Sequence, residues 1–170
     1  MNAVALLHKT LQQCPDQAPA PTTTELVFIL EPDLRAGLRI DISTAFQAEA
    51  NGEWKAATVL AGSVIEALLL WAVKQAPRGD LRKACSSAVA KGTLSSPPRG
   101  APERWMLSEY IAVAEELTKI DAYTATQARL AQNFRNLIHP GRAQRLAKGC
   151  DRGTALGALA AVEMIVRCLS

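Results

Sequence analysis

The sequence predicts an all-α fold: an up-and-down helical bundle of four longer helices plus short accessory helices. Three observations carry this. Alanine and leucine supply much of the 49% hydrophobic content, aromatics make up only 5%, and β-branched runs are few, a bias that favours helices over strands. Apolar residues recur at helical spacing in several windows. Proline- and glycine-bearing breaks, among them Asn51-Gly52, Pro77-Arg78-Gly79 and Pro140-Gly141, separate those windows. With 170 residues, the chain has the length of one domain, and such a domain buries roughly two thirds of its unfolded surface without needing a disulfide or a metal.

Taken in order, residues 3–13 read as a short helix with His8 exposed on it. Cys14 to Thr24, with three prolines and three threonines, reads as a linker. Residues 1–32 are therefore expected to be an N-terminal extension or linker, and residues 33–170 the bundle. The apolar run Leu26 to Leu30 is too short for periodicity to assign. Glu31-Pro32-Asp33 is a helix start, and the stripe Leu34, Leu38, Ile42, Ala45 and Phe46 carries that helix to about Ala50. After Asn51-Gly52 a helix runs from Glu53 to about Gln75. Asp80 begins a small helix to about Lys91, and Gly92 to Pro102 is a loop. Met106, Tyr110, Val113, Leu117 and Ile120 predict a helix over 103–120. Asp121 begins the next helix, which Pro140-Gly141 stops. Asp151 or Thr154 caps the last one, to Leu169. Trp54, Trp71 and Trp105 are read as packing anchors.

Within the second long helix, Ala56 to Val73 carries a single charge, Glu66. An acid near the middle of a membrane span costs roughly 2.5–3.5 kcal/mol, so this segment is expected to be the central buried helix of a globular bundle, with no membrane association. The four cysteines, Cys14, Cys85, Cys150 and Cys168, form no CxxC pair, and there are only two histidines. No metal site or cofactor is expected, and a reduced, cytoplasmic setting is. The N-terminus shows no signal-peptide pattern.

The chemistry concentrates in Arg135-Asn136-Leu137-Ile138-His139-Pro140-Gly141-Arg142. The net charge is +3, yet Arg129, Arg135, Arg142, Arg145, Lys148 and Arg152 stand against one acid between 129 and 152, leaving the rest of the chain net negative. On a helix, Arg135 and His139 share a face with Ala128, Ala131 and Gln132, while Leu130 and Leu137 supply the core from the opposite side. An imidazole can move a proton, and a guanidinium can bind phosphate and stabilise developing charge. The same string also reads as a helix C-terminus, with His139 capping carbonyls and Arg135 paired to a buried acid. The residues leave both readings open. Glu66 is the acid in question, expected to hold Arg135 or a nearby backbone donor, with Gly62 and Ser63 leaving room beside it. No Gly-rich phosphate loop, paired-carboxylate motif or Ser/His/Asp arrangement is present.

The RNLIHPGR string, preceded by Ala61-Gly62-Ser63-Val64-Ile65-Glu66-Ala67 on an earlier helix, resembles the HEPN superfamily over about residues 33–169. The resemblance implies a small helical bundle, commonly a homodimer, that binds or cleaves RNA as a metal-independent endoribonuclease of toxin–antitoxin or phage-defence systems. Arg135 would then bind phosphate, Asn136 would be its polar neighbour and His139 the proton-transfer residue, giving 2′,3′-cyclic phosphate ends. Glu66 would orient Arg135, and Arg129, Arg142, Arg145 and Lys148 would contact RNA. Active members usually place four to six residues between arginine and histidine; here there are three. The superfamily also contains non-catalytic members, so the alternatives are a dimerisation or protein-interaction module, with an antitoxin or other protein as partner, and a nucleotide-binding accessory subunit.

Overall fold

The computed structural model describes residues 19–139, 141, 144 and 149–170. The expected helix at 3–13, with His8, and Cys14 lie outside the described residues. Among the described residues the protein is all-α, with six α-helices and no strand. They are α1 (Pro32–Ala50), α2 (Trp54–Lys74), α3 (Arg78–Ala90), α4 (Leu107–Glu116), α5 (Ala122–Arg135) and α6 (Arg152–Leu169), with 3₁₀ turns at Pro102–Arg104 and Asn136–Ile138.

The boundaries follow from local chemistry. Pro32 supplies the first residue of α1. Gly52, at φ 78°, ends it: Gly52 N–H donates to Glu49 and Glu53 N–H to Ala48, a Schellman closure. Asp121 and Asp151 cap α5 and α6, each accepting from the backbone N–H of a threonine three residues on, Thr124 at 2.7 Å and Thr154 at 2.8 Å.

The helix expected over 103–120 is shorter than its apolar spacing suggests. Glu109 accepts from Met106 N–H at 2.6 Å, so α4 begins at Leu107. It ends where Thr118 turns left-handed, at φ 54°, with Thr118 N–H bonded to Glu115 and Lys119 N–H to Ala114. Met106 and Ile120 both lie outside the helix. Met106 is exposed and Ile120 is buried from the following loop.

Helix α2 is the hub, packed against α1, α4, α5 and α6. By length and composition it could cross a membrane, but just over half of its most apolar stretch is buried inside the fold. Val64, Ile65, Leu68, Leu69 and Val73 are fully covered. The run Leu26 to Leu30 is neither helix nor strand. It is a turn, closed by Ile29 N–H to Leu26 C=O at 3.0 Å, that buries Leu26 and Ile29 and exposes Val27 and Leu30. Part of the expected N-terminal extension thus belongs to the core. Of the tryptophans, Trp105 is buried. Trp71 is half-buried against Phe28, with ring centroids 5.4 Å apart. Trp54 is 38% exposed.

Helices α5 and α6 meet along alanines: Ala125, Ala128 and Ala131 on one side, Ala158 and Ala161 on the other, all fully buried, while Ala155 of α6 packs with Ala48 and Ala57. Gly157 of α6 leaves room for Phe134 of α5: a Cβ on it would lie 3.0 Å from the ring. This reverses the expected facing of α5. The small-residue side is the core side, and Leu130, expected in the core, is 42% exposed, whereas Leu137, just past the end of the helix, is buried as expected.

Candidate functional site

Arg135 is the last residue of α5, and the small side of that helix carries it onto α2. There it occupies the notch left by a missing side chain: a Cβ built on Gly62 would sit 2.6 Å from Arg135 Cδ, 3.2 Å from Cγ and 3.3 Å from Cβ. The room that Gly62 leaves is therefore taken by Arg135, one turn before Glu66. A glycine inside a long helix gives up about 1 kcal/mol of helix propensity relative to alanine, and close approach of a neighbour is the usual reason for tolerating it. That unfavourable glycine was the signal in the sequence for this contact.

From the notch the guanidinium reaches Glu66, with Arg135 Nη1 donating to Glu66 Oε2 at 2.6 Å. The pair expected from the sequence is present, but its setting differs. Glu66 was expected to be buried, whereas its side chain is 38% exposed and that of Arg135 is 32% exposed. The desolvation penalty of a buried ion pair is correspondingly small. Ser63, Glu66, Ala67, Leu70 and Arg135 line an open cavity of about 250 Å³. The bond to Glu66 uses one of five guanidinium N–H donors.

His139 is placed differently from the expectation. The α-helix stops at Arg135, and a 3₁₀ turn over Asn136–Ile138 follows. His139 itself is extended, at φ −77°, ψ 116°. It is the residue before Pro140, where the proline ring disfavours helical backbone. The one-turn relation that would put Arg135 and His139 on a common helical face does not hold, and His139 is exposed. Asn136 opens the 3₁₀ turn, its carbonyl facing His139 N–H at 3.5 Å. Arg129 is tied to α4, with Nη2 2.5 Å from Glu115 Oε2. The anticipated RNA contacts Arg142, Arg145 and Lys148 lie outside the described residues, as does Pro140.

On the same outward stripe of α2 but nearer its start lies a larger, shallower groove of about 790 Å³, lined by Trp54, Lys55, Ala56, Val59, Leu60 and Cys150 among others. Burial pushes the Cys150 thiol up from its ordinary value, so it is held as the neutral thiol. This groove had no counterpart in the sequence reading, which assigned Trp54 to packing.

The chain matches no protein-family model, no curated protein and no solved structure.

Proposed function

We propose that this chain is a HEPN-like helical bundle that binds single-stranded RNA through its phosphodiester backbone, with Arg135 as the central ligand. The observation that carries this reading is the seating of Arg135. A guanidinium held in a glycine notch by a carboxylate contact, and facing an open cavity, is preorganised to take a phosphate oxygen. Its position within the most basic stretch of the chain supports an anionic partner.

Cleavage asks for more than binding. His139 must deliver or remove a proton at the phosphate that Arg135 holds, and it stands beyond the end of the helix on extended backbone. A second copy of the chain is the simplest source of a properly aimed imidazole, so a homodimer with ribonuclease activity is the stronger form of the proposal, in the setting of a toxin or defence system. A protein-interaction module is the competing reading. It is favoured by Val27 and Leu30, which are 71% and 82% exposed beside the Phe28–Trp71 pair.

The test is to incubate wild type, Arg135→Ala and His139→Ala with labelled single-stranded RNA in EDTA, over a salt series. Wild type is expected to bind with an affinity that falls steeply with salt, and Arg135→Ala to lose most of that affinity and about one unit of the log–log slope. Products ending in 2′,3′-cyclic phosphate from wild type and not from His139→Ala would add catalysis. A folded wild type that binds no RNA at low salt would overturn the proposal in favour of the docking reading.

A further inference from the structure

Resting on that reading, we infer that the groove at the start of α2 is a nucleobase site, in which Trp54 stacks an unpaired base of the RNA whose phosphate sits at Arg135. The argument begins with helical geometry. Ala56, Val59, Leu60, Ser63, Glu66, Ala67 and Leu70 each have another of the set three or four residues away, so they form a single stripe along α2. Every one of them is at least partly exposed, while the residues between them are mostly buried. The first three line the large groove and the last four line the Arg135 cavity. The two concavities are therefore neighbouring parts of one surface.

Their chemistry differs in the way a nucleotide's does. The groove is walled by Trp54, Ala56, Val59 and Leu60, and its charged residues Glu53 and Lys55 oppose each other in sign. It suits a flat, uncharged, partly apolar group. The Arg135 cavity offers guanidinium donors and suits an anion. From Trp54 to Gly62, against which Arg135 is seated, the helix rises about 12 Å, and from Trp54 to Glu66 about 18 Å. A few nucleotides of a single strand bridge that span, so the stacked base and the bound phosphate belong to different nucleotides of one strand. A tryptophan more than a third exposed, away from the core that buries Trp105, is the residue type on which unpaired bases stack without regard to sequence.

The experiment measures fluorescence anisotropy of a short fluorescein-labelled oligouridylate and of an abasic oligomer of the same length and charge. Wild type, Trp54→Ala, Trp54→Phe and Arg135→Ala are compared, each first shown by circular dichroism to keep its helix content. Trp54→Ala is expected to weaken oligouridylate binding about tenfold, the loss of one base stacked on an aromatic ring, and to leave abasic binding unchanged. Trp54→Phe is expected to retain most of the affinity, and Arg135→Ala to weaken both oligomers. If Trp54→Ala binds both as wild type does while Arg135→Ala weakens both, the base site is overturned and the backbone reading stands. Equal weakening of both oligomers by Trp54→Ala overturns the base site as well. If wild type binds neither oligomer, the RNA reading itself has failed, and the base site with it.

Discussion

Gly62 and Arg135 lie so close that a single methyl group on the glycine would sit 2.6 Å from the arginine Cδ. The contact runs back to Arg135 Cβ, so the side chain cannot escape by moving only its tip. Gly62→Ala should therefore displace Arg135 and break its bond to Glu66. Overpacking of this kind costs about 1–3 kcal/mol, against about 1 kcal/mol gained in helix propensity. In wild type the net change in urea unfolding should be a loss of about 1 kcal/mol. In an Arg135→Ala background the 2.6 Å and 3.2 Å contacts are gone and only the Cβ contact at 3.3 Å remains, so the same substitution should be neutral to stabilising, by up to about 1 kcal/mol. A coupling near zero in that double-mutant cycle would mean that the notch is not occupied as described.

Glu66 and an incoming phosphate compete for the same guanidinium. Glu66→Gln keeps an oxygen that can accept from Arg135 and removes the opposing charge. Both side chains are about one third exposed, so unfolding should change by less than about 1 kcal/mol. Affinity for single-stranded RNA at low salt should rise by roughly threefold to tenfold, an effect that fades as salt screens the carboxylate. A fall in affinity would show that Glu66 acts by orienting Arg135 more than by competing for it.

Much of the fold was legible because start and stop signals are strong where they occur. Pro32, Asp121, Asp151 and Gly52 each mark a helix end within a residue or two of its place. The facing of α5 was not legible, because leucines were assigned to the core and alanines to the surface. The packing runs the other way, since α5 approaches α2 and α6 too closely for large side chains. The consequence is measurable. Leu130→Ala, at a position 42% exposed, should change stability by less than about 0.5 kcal/mol. Ala128→Leu, at a fully buried position, should cost about 1–3 kcal/mol. For the site, the Glu66 partnership was readable from one acid on an apolar helix. The position of His139 was not, because a helical wheel assumes a helix that Pro140 forbids at the residue before it.

Thr118 explains why apolar spacing overran α4. Its neighbours keep the helical pattern, but the backbone closes the helix with a β-branched residue in the left-handed position that glycine normally fills. Thr118 is exposed, and its hydroxyl donates to the Leu117 carbonyl. Thr118→Gly should relieve the backbone and stabilise the protein by roughly 0.5–1 kcal/mol, after allowing for the greater freedom glycine gives the unfolded chain. Chemical denaturation measures this directly, and a destabilised Thr118→Gly would mean that the threonine makes a favourable contact outweighing its strain.

Glu116, at the end of α4, is a carboxylate whose titration is coupled to folding. Lys91 Nζ lies 2.8 Å from Oε1, and Ser87 Oγ donates to Oε2 at 2.5 Å. The Lys91 bond first and the Ser87 bond second hold its pKa below the ordinary glutamate value, against an opposing effect of burial. A carboxyl group with a lowered folded-state pKa contributes stability that is complete above its unfolded-state pKa and is lost as pH falls through the folded one. Wild type should therefore lose stability from the ordinary glutamate range downward. Glu116→Gln should be less stable by about 1 kcal/mol at neutral pH, and its stability should fall less steeply with acid. The two proteins should converge once the pH has fallen below the lowered folded-state pKa of Glu116, where the wild-type carboxylate is protonated. Urea titrations at neutral and acidic pH check this, and parallel pH profiles for the two proteins would show that Glu116 carries no such linkage.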